Sequence, residues 1–418
     1  MNNGIFLKST QMKNRFLAIV LMSVAGTSVM AQSSQTSDLL KDKINTITTA
    51  VPFLMIAPDA RGGGMGDAGV SSSPDANSMH WNPAKYAFIE KDFGAAVSYS
   101  PWLRGLVTDI NLAYLAGFKR INERQVIGAS LLYFSLGNIN FTDDAGNDIG
   151  NYKPNEFSID ACYSYKFTET FSGGIALRYI YSNLTGGITV AGAASKPGQA
   201  VAADISIMYN KPLDLGKKTG NVSFGLNISN IGNRISYTEN LERDFIPINL
   251  RLGPSFLYNF DDKNSLAVML DLNKLLVPTM PSYATDDNGV YLRDSITGEL
   301  IIDKGLDPDV PVVTGMIHSF YDAPGGFGEE IREITLGVGL EYWYDKQFSV
   351  RAGYFHEAST KGNRKYVTLG AGLRYSVFGL DFAYLLPTTT QHNPLENTMR
   401  FTLLFNFDKV KNNKQDVE

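Results

Sequence analysis

Ala57-Pro58-Asp59-Ala60-Arg61-Gly62-Gly63-Gly64-Met65-Gly66-Asp67-Ala68-Gly69-Val70, then Asp75-Ala76-Asn77-Ser78-Met79-His80-Trp81-Asn82-Pro83-Ala84 after a short polar link, decides how the chain is read. The stretch is small and Gly-rich, with neither a helical nor a strand period. Its glycines permit tight turns and a close approach to a surrounding wall. Asn82-Pro83 closes it as a turn. A flexible linker is the alternative, but a linker has no use for Met65, Val70, Met79 and Trp81. The expectation is a plug, or hatch, around which later strands close.

After residue 90 the period is two. In 156–167, Phe157, Ile159, Ala161, Tyr163, Tyr165 and Phe167 alternate with Glu156, Ser158, Asp160, Cys162, Ser164 and Lys166. Stretches 109–118, 265–273 and 400–407 repeat the pattern. A soluble sandwich also alternates. Two features favour a membrane barrel: segments of about 9–11 residues, enough to cross a bilayer when tilted, and alternating link lengths. Strands are expected near 93–102, 108–119, 125–137, 156–167, 171–182, 200–210, 220–229, 247–259, 264–273, 332–344, 348–356, 365–375, 378–385 and 399–407. Links such as 119–124, 168–170, 260–263 and 344–347 are short, whereas 138–155, 183–199, 230–246, 274–331 and 387–398 are long. The fold class is all-β: a fourteen-stranded antiparallel transmembrane β-barrel with an N-terminal hatch inside the lumen. Short periplasmic turns and long outer loops would leave both termini in the periplasm. Inward charges, namely Asp109, Asp160, Arg178, Asp204, Glu341 and Arg351, read as a wetted wall that holds the plug.

The start of the chain reads as a secretory signal. Lys8, Lys13 and Arg15 precede an apolar run over 16–24, and Val29-Met30-Ala31 fits the small-residue cleavage rule. The domain reading is a signal peptide at 1–31, an N-terminal segment and hatch at 32–90, a barrel at 91–408 with a long outer loop at 274–331, and a disordered tail at 409–418. Asp38 suits the cap of a short helix, and Pro52 and Pro58 read as an extended run.

The 418 residues carry a net charge of −5, with 19% charged and 11% aromatic residues. The mild acidity and lack of a basic block argue against nucleic-acid binding. Cys162 is the only cysteine and reads as a small wall residue. His80, His318, His356 and His392 stand apart from any recognisable nucleophile. No metal or cofactor motif emerges, so no catalytic residue, metal site or cofactor is assigned. Asp143 to Asp148 lacks the spacing of a calcium loop and reads as a solvated turn.

The 274–331 link is unusually apolar. Residues 290–293 and 299–302 can pair across 294–298, and Asp309 can cap a helix in which Val312, Val313, Met316, Ile317 and Phe320 share a face. With Tyr283, Tyr321 and Phe327, this face either packs on the barrel rim or forms an exposed docking patch. Both readings stay open.

The hatch also carries a resemblance. Asp59, Arg61, Gly62, Gly66, Asp67, Asp75 and Trp81-Asn82-Pro83-Ala84 resemble the hatch of the FadL-like outer-membrane proteins. The longer string from Trp81 to Phe88 is most similar to the PorV (LptO) family of the type IX secretion system. The resemblance extends to the fourteen-strand rhythm and the oversized ninth-to-tenth link. It implies a non-enzymatic protein of the Gram-negative outer membrane, in contact with its lipid. Such a protein binds the C-terminal signal domain of secreted cargo at its outer loops. It passes the cargo from an SprA-type translocon to the sortase PorU. The alternative is a FadL-like channel for fatty acids or other hydrophobic small molecules.

Overall fold

Fourteen antiparallel strands close into one barrel. They are β1 (Phe93–Pro101), β2 (Asn111–Arg120), β3 (Gln125–Ser135), β4 (Asn155–Lys166), β5 (Phe171–Asn183), β6 (Gly198–Leu215), β7 (Lys218–Gly232), β8 (Asn249–Asn259), β9 (Asn264–Leu275), β10 (Thr335–Tyr344), β11 (Phe348–His356), β12 (Lys365–Tyr375), β13 (Phe378–Pro387) and β14 (Met399–Phe407). Every strand pairs with its neighbour in sequence, and β1 closes the ring on β14 with Val97 opposite Leu403. This computed structural model describes residues 44–102, 109–142, 146, 148–187, 189–190, 193–238, 243–388 and 398–408. The chain divides into two units, residues 1–45 and 46–418, and everything below concerns the second. The expected signal segment, the Asp38 helix, most of the 143–148 turn and the tail at 409–418 lie outside the described residues.

The wall is apolar outside and polar inside. Ile159, Ile175, Leu177, Val201, Leu340 and Val350 are exposed, while Asp160, Asp204, Asp271, Glu341, Asp381 and Thr402 are buried. A closed sheet leaves no edge unpaired, so such an exterior suits hydrocarbon. Exposed Phe93, Phe167, Phe260, Tyr344, Phe348, Tyr375, Phe378 and Phe407 gather at the short-link ends of the strands. That is where an aromatic girdle meets the headgroups.

Four local readings need correction. Asp109 is not in the wall: it lies in the turn before β2 and its Oδ2 accepts from the Asn138 amide at 2.7 Å. Pro52–Met55 is a turn of 3-10 helix rather than an extended run, since the fixed φ of proline suits the first helical position. Asp309 caps nothing; the helix Val312–His318 starts after Pro311 without a side-chain cap, and Asp309 pairs with Arg234. Finally, β10 begins at Thr335 rather than 332, because Phe327–Arg332 is helical.

Candidate functional site: a packed lumen and an anchored outer connection

Residues 57–89 are bonded to strands on all sides of the ring. Ser164 of β4 donates to the Pro83 carbonyl at 2.6 Å, and Ser172 of β5 donates to the Ala84 carbonyl at 2.8 Å. Asn82 Nδ2 donates to the Ile207 carbonyl of β6 at 3.0 Å. Asp271 Oδ2 of β9 accepts from the Gly69 and Val70 amides at 2.8 and 2.9 Å. Gly66 N donates to Thr368 of β12 at 2.8 Å, and Ala60 N donates to Thr402 of β14 at 2.9 Å. A segment with so little regular structure must place its backbone groups on side chains, and the polar inner wall supplies them.

Each hatch residue singled out from sequence sits in this web. Asp59 accepts from Trp81 Nε1 at 2.6 Å and from Gly62 N at 2.8 Å, so it caps the single turn Ala60–Gly63. Arg61 grips Glu341 of β10 with Nε at 2.9 Å and Nη2 at 2.7 Å, and reaches Asp75 at 2.9 Å. Glu341 continues the chain to Arg351, then to Asp381 and Arg374. Asp67 joins Arg400 at 3.1 Å and accepts from Tyr366 at 2.6 Å. Asn82 Oδ1 accepts from Ala84 N and caps the 3-10 turn Pro83–Phe88. Gly66 has φ +69°, and a Cβ there would lie 2.6 Å from the Tyr354 carbonyl oxygen.

Two cavities lie on either side of this segment. One, about 520 Å³, is lined by Arg61, Ser71 to Asp75, Asn259, Ser265, Trp343, Arg374 and Asn406, near the short links. The other, about 320 Å³, is lined by Asp67, Trp81, Asn249, Arg251, Glu333, Glu357, Lys361 and Arg364, near the long links.

The 275–334 connection folds back on the barrel. Val312 and Met316 pack on the core cluster containing Ile235, Phe245, Ile248 and Leu276. The helical face expected from sequence is therefore split. Val313 and Ile317 turn outward, and Phe320 lies beyond the helix end, beside Tyr321. Ile317, Phe320, Tyr321 and Phe327 are 57%, 51%, 59% and 79% exposed. Tyr283 lies in a two-residue strand that pairs with Ile302–Lys304, and its ring meets Tyr291 edge-on. Leu292 and Ile301 bond across the Asp294 to Gly298 turn.

Beneath these residues is an ionic anchor that the sequence reading missed. Lys274 bonds Glu330 at 2.9 Å and Glu333 at 2.6 Å. Lys361 bonds Glu329 at 2.6 Å and Glu333 at 3.0 Å. The signal was present as Glu329, Glu330 and Glu333 at helical spacing, but their partners are far away in sequence. Beside them, burial pushes the Asp322 carboxyl up to about 6, and Glu330 and Glu333 add to the shift.

Residues 39–282, more than half of the chain, match the family described as Type IX secretion system protein PorV. No curated protein sequence matches. Among solved structures, the chain is similar to the CymD monoaromatic hydrocarbon channel, at 13% identity and TM-score 0.47, covering 87% of this chain and 100% of that one. It is also similar to the Pseudomonas putida toluene transporter TodX, at 12% identity and TM-score 0.45, covering 85% and 99%. A Pseudomonas aeruginosa FadL homologue matches at 14% identity and TM-score 0.40, covering 87% and 99%.

Proposed function

From the premise that this chain belongs to the PorV family of type IX secretion system proteins, and so is an outer-membrane component of that system, we propose that it carries cargo. In this reading the long links face the exterior. The outer connection holds the C-terminal signal domain of a secreted protein as it leaves an SprA-type translocon, and presents it to the sortase PorU. One observation carries the reading: Ile317, Phe320, Tyr321 and Phe327 are each exposed on a connection that buried ion pairs tie to the barrel. Large apolar anchors on a rigid base are what a protein partner uses as hot spots. An unanchored apolar loop would instead collapse onto the rim.

The lumen supports the same reading, because residues 57–89 lie between the two cavities and bond to strands around the ring. The test is a double substitution, Phe320→Ser with Phe327→Ser, in a chain that still migrates as a heat-modifiable barrel. Capture of a purified signal domain should fall at least tenfold, about 1.4 kcal/mol. Undiminished capture removes the outer connection from cargo binding. Bound fatty acid with no secreted protein in envelope pull-downs favours the channel alternative.

A further inference from the structure

The outer wall carries large side chains at most positions, and one row interrupts them. Ala95 on β1 stands opposite Gly117 on β2, Gly117 opposite Ala129 on β3, and Ala129 opposite Ala161 on β4. Among the described strands no other paired outward positions are both Gly or Ala. Exposed side chains rise on both sides of the row. Val97, Leu115, Leu131 and Ile159 border it towards the long links, and Phe93, Lys119 and Ile127 towards the short links. Phe405 of β14 and Leu177 of β5 close its ends. Over β1 to β3 the missing side chains leave a groove of about 510 Å³, floored by Ala95, Gly117 and Ala129.

We propose that this groove holds an acyl chain of a glycerophospholipid whose phosphate sits on Lys119. The wall stands in hydrocarbon, so the groove is filled by something apolar: an empty one would forfeit the contacts of its lining atoms. Burial from lipid brings no hydrophobic gain, so fit and the headgroup decide which molecule stays. The shape selects a chain over a helix. The two ridges are four residues apart, roughly 13 Å between Cα atoms, and the side chains on both narrow that gap. A helix of about 10–12 Å diameter is too wide for what remains. The length suits a chain as well, since four strands span roughly 14 Å. Strands tilted by about 35–45° set the row obliquely, leading from the short-link interface into the membrane. Lys119 supplies the charge. It is exposed on the short-link ridge and has no bonded partner among the described residues. A lysine between Phe93 and Ile127 extends its ammonium to headgroup level, where phosphate is the complementary group. Short turns are periplasmic in barrels of this class, which makes the lipid a phospholipid rather than a lipopolysaccharide. The inference rests on the wall's place and orientation in the membrane, and not on cargo carriage.

The full chain, stripped of lipid in a mild detergent, should be titrated with dioleoylphosphatidylglycerol and with dioleoylglycerol, which lacks the phosphate, and read by native mass spectrometry. One phosphatidylglycerol should stay bound per chain, and dioleoylglycerol should bind about tenfold more weakly. Lys119→Gln should remove that preference. Ala129→Leu fills the floor and should abolish retention of the lipid, and Ala95→Leu repeats the test on another strand. Ala371→Leu, elsewhere on the outer wall, should leave retention unchanged. All four variants should keep heat-modifiable mobility, and a variant that loses it is replaced by the other floor substitution. A statistical ladder of lipids with none preferred overturns the proposal. So does equal retention by Ala129→Leu or Ala95→Leu, equal loss in Ala371→Leu, or lipopolysaccharide as the lipid retained from the native envelope.

Discussion

Val268 and Asp271 stand three residues apart on β9 and face different media. Val268 is 40% exposed on the outer wall, and Asp271 is fully buried against the Gly69 and Val70 amides. Val268→Arg should cost about 2–4 kcal/mol, because the charge meets hydrocarbon near mid-membrane. Asp271→Asn keeps an acceptor oxygen for the two amides and should be mild. Asp271→Leu orphans both donors, at about 1–3 kcal/mol each. Urea unfolding of the liposome-inserted barrel ranks the three, and equal costs at both positions would refute the register. Gly66 is the other decisive residue, since its positive φ and the Tyr354 carbonyl exclude a side chain. Gly66→Ala should loosen residues 57–84 and expose them to protease in the intact barrel, and a chain as resistant as the parent would refute that. Gly66 stood out in a Gly-rich run. Gly353, whose Cβ would strike the Gly66 amide, did not, because one glycine in a strand carries no sign of what approaches it.

The strands were the most legible elements. A two-residue period with small or charged residues on one face belongs to a barrel wall, and the link lengths fixed the pairing order. The outer connection was less legible, because its helix Phe327–Arg332 is held by distant ion pairs and its helix Val312–His318 by apolar packing on the barrel, neither of them by a side-chain cap. Asp309 satisfied every local rule for a cap, yet tertiary packing started the helix after Pro311. The connection should also respond to pH through Asp322. Its carboxyl is raised from the ordinary 3.8 to about 6, with Glu330 and Glu333 facing it and Lys274 opposing them. A raised acid binds its proton more tightly in the folded form. The stabilisation is therefore complete below about 3.8 and is lost as pH rises through about 6. Hydrogen-exchange protection factors, taken against the intrinsic rate at each pH, should be higher in residues 279–333 at pH 5 than at pH 7.5. Asp322→Asn should flatten the difference that this carboxyl causes, and an unchanged pH response in that variant would exclude Asp322 as its source.

On the scale of the whole molecule, residues 57–89 bond to the inner face of the barrel wall. Fourteen strands lie between the filled eight-stranded barrel and the open porin. The space is divided because Arg61 and Ser71 to Asp75 line one cavity while Asp67 and Trp81 line the other. The two are separated by a segment bonded to β4, β5, β6, β9, β10, β12 and β14. The wall was not shaped to stand empty. Its carboxylates at Asp271 and Glu341 bond the segment's own amides and Arg61. In a planar bilayer the full chain should therefore show almost no steady conductance. Replacing residues 57–84 by a Gly/Ser chain of equal length should open an ion-conducting pore. Asp271→Leu, which frees only one clasp, should give brief openings instead of a constant current. This graded order separates a plug held by many weak bonds from an obstruction elsewhere in the barrel. Steady conductance by the parent chain, or a closed barrel after the replacement, would show that these residues do not seal it.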